Sequence, residues 1–192
     1  MKNKTLILAS ASPRRRDLLS QVGITPDQIL PADIDESHHK AELPRDYALR
    51  MAIGKADAVR AQGQDSFILS ADTVVACGRR ILPKTENEQQ ARACLDFLSG
   101  RRHRVYNGIA LVLPDGTMKT RVVDTVVQFK RLDRADIDGY IASGEWQGKA
   151  GGYAIQGRAA AFVKFIGGSY STVVGLSLYD TMQLLSGSGF WR

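Results

Sequence analysis

The chain has 192 residues, 44% hydrophobic and 24% charged, which is enough for one domain with a real core and ordinary for a globular protein. Its 26 Lys and Arg against 20 Asp and Glu leave a formal charge of +6. That suits an anionic partner without choosing between a nucleotide, a nucleic acid and an acidic lipid. Aromatic residues are sparse at 7% and do not alternate with basic ones, which argues against single-strand binding by base stacking. No stretch approaches the roughly 20 apolar residues of a membrane span. Cys77 and Cys94 make neither a metal-type spacing nor a disulfide framework, so free thiols in a reducing cytoplasm are expected. Lys2 and Lys4 before an apolar run imitate a secretion signal, but the run is too short and an arginine triplet closes it.

In chain order, Leu6 to Ala9 predicts a short buried strand, followed by a tight turn and a helix opening on Pro13. Ser12 can cap that helix, and proline suits its first turn because the missing N–H has no partner there anyway. Arg14, Arg15 and Arg16 crowd the same turn against the helix dipole, a cost that an anionic ligand at the helix N-terminus reverses. Residues 24–42 read as a loop holding Asp33, Asp35 and Glu36. A second helix runs from Pro44 to about Ala61, with Tyr47, Met51 and Ala58 at helical spacing and Gly63 as its stop.

Phe67 to Ala71 is a second buried strand with Asp72 and Thr73 at its carboxyl end, and the chain then turns near Cys77-Gly78. Thr85 and Glu88 have capping-box spacing, so a helix is expected from there to about Leu98. A long hairpin follows, His103 to Leu113 and Met118 to Leu132, turning at Pro114-Asp115-Gly116. Asp133 caps a short helix with Ile137, Tyr140 and Ile141 on its apolar side. Glu145 to Arg158 is a glycine-rich loop, Ala160 to Ile166 a strand that Tyr170 to Val174 pairs or extends, and Ser177 caps a last helix. Repeats and linkers are lacking, so one mixed α/β domain spanning 1–192 is expected.

Polar residues just past strand ends are where open α/β sheets put their sites. Ser10 to Arg15, Asp72-Thr73 with Lys84 after it, and the loop from Lys149 to Gln156 are three such places. A carboxylate, several cations and glycine-rich backbone together suit phosphoryl transfer. Such chemistry needs charge neutralisation, a divalent metal and a positioned water more than a covalent nucleophile.

SASPRR (10–15), SADTVV (70–75), the lysine at 84, and KAGGYAIQG (149–157) followed by GSYSTVVGLSL (168–178) resemble, in order and over nearly the whole chain, the Maf family of nucleoside triphosphate pyrophosphatases. The resemblance implies an elongated mixed β-sheet flanked by helices, similar to the inosine triphosphatase-like fold, with a cleft between two lobes. It implies hydrolysis of a nucleoside triphosphate to the monophosphate and pyrophosphate with a divalent metal, Mg2+ or Mn2+. It also implies Asp72 as general base and metal ligand, Glu36 as a second acidic group at the metal or water, and Ser10, Arg15, Lys55 and Lys84 around the phosphates.

Ala71-Asp72-Thr73 and Ile155-Gln156-Gly157 look like the branch acting on dTTP and UTP, with Arg14, Thr73 and Gln156 at positions tied to base selection. A glutamine offers a pyrimidine edge both a donor and an acceptor. The sibling branch, which prefers 7-methyl-GTP, reads Ser-Asp-Gln at the first place. Pro83-Lys84-Thr85 departs from a common Lys-Pro, and Ser177 replaces a common proline; neither touches the expected base. The family also implies a homodimer. The rivals are the 7-methyl-GTP specificity and a non-catalytic nucleic-acid-binding or cell-division regulator. A pure phosphate-binding surface has no need of Asp72.

Overall fold

In the computed structural model, which describes residues 4–190, strands β1 (Leu6–Leu8), β2 (Gln28–Ile29), β3 (Phe67–Cys77), β4 (Arg80–Leu82), β5 (Arg102–Val112), β6 (Met118–Phe129) and β7 (Val163–Gly167) form one mixed sheet. Its order is β2-β1-β3-β5-β6-β7, with β4 on the free edge of β3. The helices are α1 (Pro13–Gln21), α2 (Pro44–Val59), α3 (Glu88–Leu98), α4 (Arg134–Ala142), α5 (Tyr170–Val174) and α6 (Leu178–Gly187). This is the expected α/β class. Among the described residues no helix is long and apolar enough to cross a membrane.

Strand β3 is the axis of the fold, and it is longer than the sequence suggests. Asp72 and Thr73 do not end it: the strand continues through the β-branched Val74 and Val75 to Cys77. It is buried on both faces, as a central strand of an α/β sheet must be. One edge pairs throughout with β5, setting Asp72 opposite Gly108 and Thr73 opposite Asn107. The other edge is shared. Parallel β1 takes Phe67 to Leu69, and antiparallel β4 takes Val75 to Cys77. Between them the strand around Asp72 has no strand partner on that side. The gap is where the chain leaves β1 for α1.

Alternation along β3 sends side chains to two cores. Ser70 donates to the Ala52 carbonyl of α2 at 2.5 Å, and Val74 packs with Tyr47, Ala48 and Met51 of the same helix. Ala71 and Val75 join the larger core on the opposite face, with Leu95 of α3, Tyr140 of α4 and Leu185 of α6. Helix α2 lies unusually near the sheet because Gly108 has no side chain. A Cβ there would stand 2.1 Å from the Ala48 carbonyl oxygen and 2.5 Å from its carbon, both main-chain atoms. Gly108→Ala must therefore push α2 off the sheet. It is expected to cost about 3 kcal/mol, the upper range for overpacking a core, read as a lowered midpoint in urea unfolding. A variant as stable as its parent would show that α2 moves freely.

Four local expectations are corrected. Thr85 does not open α3: it is fully buried, and its hydroxyl donates to the Trp146 carbonyl at 2.6 Å. Asn87 caps the helix instead, accepting from the Gln90 N–H at 2.9 Å. Ser12 stands at the N-cap of α1 but makes no side-chain cap bond. Residues 158–162 form a 3-10 turn before β7, so that strand starts at Val163 rather than Ala160. Tyr170 to Val174 is helical despite its β-branched residues. Long-range contacts override propensity there: the Ser171 hydroxyl accepts from the Leu178 N–H, and Gly175 ends the turn at φ +144°.

Candidate active site

Ser10, Arg14, Arg15, Glu36, Lys55, Asp72, Thr73, Lys84 and Gln156 line a single cleft of about 550 Å3. The sequence placed Ser10 to Arg15, Asp72-Thr73 with Lys84, and Gln156 past separate strand ends, Glu36 in a loop and Lys55 late in a helix, and the gap in β3 is what joins them. The carboxyl end of β1 and the start of α1 fill the mouth of the gap, so the rule about strand ends holds for β1 rather than β3.

On the α2 face, Asp72 is buried and its carboxylate receives the Lys55 ammonium at 2.6 Å. The same ammonium meets Glu36 at 2.6 Å, and Lys84 closes on the other oxygen of Glu36. Lys55 itself is 7% exposed, so this is a lysine bridging two carboxylates in a largely dry site. Glu36 comes from a loop without regular structure. The Tyr47 hydroxyl donates to its main-chain carbonyl at 2.7 Å, and Arg50 donates to that of the next residue, Ser37, at 2.9 Å. Burial pushes the Glu36 carboxyl up, but hydrogen bonds from Lys55 and Lys84 outweigh it and hold it down at about 2. Glu36 is therefore ionised throughout the neutral range.

On the other face, Arg15 is 9% exposed and each of its three nitrogens spends one N–H on the protein: Nε on the Gly175 carbonyl at 3.0 Å, one terminal nitrogen on the Ser10 hydroxyl at 2.8 Å, the other on the Thr73 hydroxyl at 3.3 Å. Burial lowers the Arg15 pKa and the Asp72 charge opposes it. Arg14 is the contrasting neighbour. It lines the cleft half-buried, and its Nε finds no partner among the described residues. Arg16 points away, 3.6 Å from Asp17.

The glycine-rich loop reaches the cleft by pairing with the segment after β4. Lys84 bridges Ala150, the Gly151 N–H donates to the Pro83 carbonyl at 2.9 Å, and the Gly148 N–H donates to that of Thr85 at 2.9 Å. This pairing sets the loop that carries Gln156 beside the segment of Lys84, and both residues line the cleft. Farther along the loop, the Tyr153 hydroxyl is 2.8 Å from His103 Nε2, and the Ala154 N–H donates to the Tyr140 hydroxyl at 2.9 Å. Burial drives His103 down to about 4, with a main-chain contact to Arg101 opposing, so the ring is neutral. Lys149 also lines the cleft; burial, then the nearby Arg14 charge, lowers its pKa.

The sequence reading missed Asn107, Tyr153 and the Gly175 carbonyl. Asn107 did leave a sign: it is the polar interruption, beside a glycine, of the apolar run in β5.

Asp72 and Glu36 converge on one ammonium, so a small cation bound beside it, on the cleft side, would find two hard oxygen donors. Among the described residues no group of three or more His, Cys, Asp or Glu side chains could hold a metal alone. Two carboxylates fit an ion such as Mg2+, which keeps waters and takes phosphate oxygens for its remaining ligands. The arrangement as a whole is a buried carboxylate and a half-exposed one, ringed by cations, in a cleft wide enough for a small organic anion.

Similar proteins extend this picture. A protein from Caulobacter vibrioides named dTTP/UTP pyrophosphatase is 58% identical, the alignment covering 96% of this chain and 96% of that one. One of the same name from Paramagnetospirillum magneticum is 60% identical over 96% and 97% of the two chains. The solved structure of a HAM1 protein from Coxiella burnetii superposes with a TM-score of 0.52 at 15% identity, covering 96% of this chain and 99% of that one; this likeness concerns the fold alone. A family model described as Maf-like protein matches residues 5–188, and with relatives this near over almost its whole length, the chain belongs to that family.

Proposed function

We propose that this chain hydrolyses dTTP and UTP between the α and β phosphates, giving the nucleoside monophosphate and pyrophosphate. The observation that carries the reading is the buried Asp72 carboxylate, paired to Lys55 inside a cation-lined cleft. The relatives' shared name supplies the substrates. A surface that only binds polyanions gains nothing from a buried carboxylate among its cations, which would weaken the attraction.

In this reading Asp72 takes the proton of the attacking water, and Lys55 keeps its carboxylate oriented. Arg15, Lys55, Lys84 and Lys149 neutralise the triphosphate, and the Ser10 hydroxyl, already accepting from Arg15, has its proton free to donate to a phosphate oxygen. Glu36 and Asp72 would hold a divalent metal, which would supply polarisation of a phosphoryl oxygen and a lower cost of ionising water. Gln156 reads the base together with Arg14, and Thr73, whose hydroxyl donates to the Gly175 carbonyl, helps to shape that pocket. The free thiols Cys77 and Cys94 fit a reducing compartment such as the cytoplasm.

The test is pyrophosphate release from a nucleotide panel with Mg2+ or Mn2+, a chelator serving as control. dTTP and UTP should lead, and activity should vanish with chelator. 7-Methyl-GTP leading would overturn the assignment of the base pocket. Silence across the panel from folded protein would overturn the activity. Gln156→Glu removes the amide donor, so it should cut the preference for UTP over 7-methyl-GTP about tenfold, the worth of one hydrogen bond. An unchanged ratio would remove Gln156 from base reading.

A further inference from the structure

Asn107 is fully buried on β5 opposite Thr73, next to the glycine that lets α2 approach. Its amide nitrogen donates to the main-chain carbonyl of Asp72 at 2.9 Å and to that of Gly175 at 3.2 Å. Its oxygen accepts from the Ser177 N–H at 2.9 Å. Both N–H groups of the amide and one lone pair of its oxygen are committed to the protein's own backbone, and the side chain is fully buried. It cannot be a ligand for substrate.

What it binds is more telling than the bonds themselves. The Gly175 carbonyl also accepts from Arg15 Nε at 3.0 Å and from the Thr73 hydroxyl at 3.3 Å. A carbonyl oxygen has two lone pairs, so three donors share it and none can shift without disturbing the others. Gly175 sits at φ +144°, a conformation that other residues rarely adopt, which fixes where its carbonyl points. One oxygen therefore joins the strand carrying Asp72, the Arg15 guanidinium of α1 and the Thr73 hydroxyl.

We infer that Asn107 is a positioning residue for the reaction, holding Asp72, Arg15 and Thr73 in one register through the Gly175 carbonyl. The inference rests on the proposed activity, because it supposes that Asp72 and the phosphates must meet in a fixed geometry. Without the amide, the Asp72 backbone and the Gly175 turn have no side chain in common. Arg15 then keeps its acceptor, but that acceptor is tied to the catalytic strand only by the Thr73 hydroxyl at 3.3 Å. The cost should fall on the chemical step more than on binding, since the cations around the phosphates remain.

The experiment compares wild type, Asn107→Asp and Asn107→Ser for pyrophosphate release from UTP, with thermal unfolding as the control for folding. Asn107→Asp has the same shape but turns a donor edge into an acceptor facing two carbonyls. Serine is small enough to fold in the same space and cannot span both. In folded variants kcat should fall about 100-fold, the scale of an ångström-sized misplacement, with KM within about threefold of wild type. In the Asn107→Ser background, Arg15→Lys should cost less than it costs alone, because the two groups act through one carbonyl. Folded variants with kcat within about twofold of wild type, a loss confined to KM, or strictly multiplicative effects with Arg15→Lys would each overturn the inference while leaving the activity standing. Wild type inert on every nucleotide would overturn the activity and this inference with it.

Discussion

Asparagine in place of Asp72 is expected to lower kcat for UTP by about three orders of magnitude, within the range lost with a general base, while the protein remains folded. The amide has nearly the shape of the carboxylate and still offers Lys55 an acceptor at the 2.6 Å contact. What it lacks is a site for the proton of the attacking water, and it is a poorer donor to a divalent ion. Pyrophosphate release and thermal unfolding, measured on the same preparation, separate the two effects. A folded variant keeping a tenth of wild-type turnover would exclude Asp72 as the base.

The second large effect is on stability. Lys55→Met removes the cation from between two carboxylates, one of which, Asp72, has a side chain only 6% exposed. Taking one partner from a buried ion pair costs about 3–5 kcal/mol, because the remaining charge keeps its desolvation penalty without its compensation. Lys55→Met combined with Asp72→Asn should recover most of that loss, since no buried charge is then left beside the methionine. Urea unfolding reads both. A single variant costing under about 1 kcal/mol would mean that Asp72 is held by other groups, Arg15 foremost.

How far these features were legible depends on how local their causes are. The start of α1 was readable because Pro13 acts on its own turn, and the cap at Asp133 was found for the same reason, the structure adding Asp136 as its capping-box partner. The end of β3 was not, because Asp72 looks like a strand-ending polar residue until Lys55, 17 residues earlier, is known to lie over it. Thr85 had the spacing of a cap and the burial of a core residue, and the tertiary contact to Trp146 decided between them. Asp72, Lys84 and the arginines after β1 could be picked out from the chain itself because each follows an apolar run. Glu36 in its loop and Lys55 in its helix were reached only through the family resemblance. Their convergence could not be read from the chain, as it follows from β1 and β4 dividing one edge of β3. Asn107 is the extreme case: its partner Ser177 is 70 residues away, and nothing near it in the chain announces the bond.

The charge balance of the cleft bears on what happens after the bond is cut. Arg14, Arg15, Lys55, Lys84 and Lys149 face only Glu36 and Asp72 across it. Of the two products, pyrophosphate carries more negative charge on a smaller body than a nucleoside monophosphate does, so the cations hold it harder. The monophosphate is expected to leave first and pyrophosphate to linger, pacing the cycle by its departure. Pyrophosphate should then inhibit at lower concentration than UMP, and added salt should relieve it; equal inhibition by the two would show that the base, not the charge, sets residence. A partner activity that consumes pyrophosphate would keep this cleft turning over.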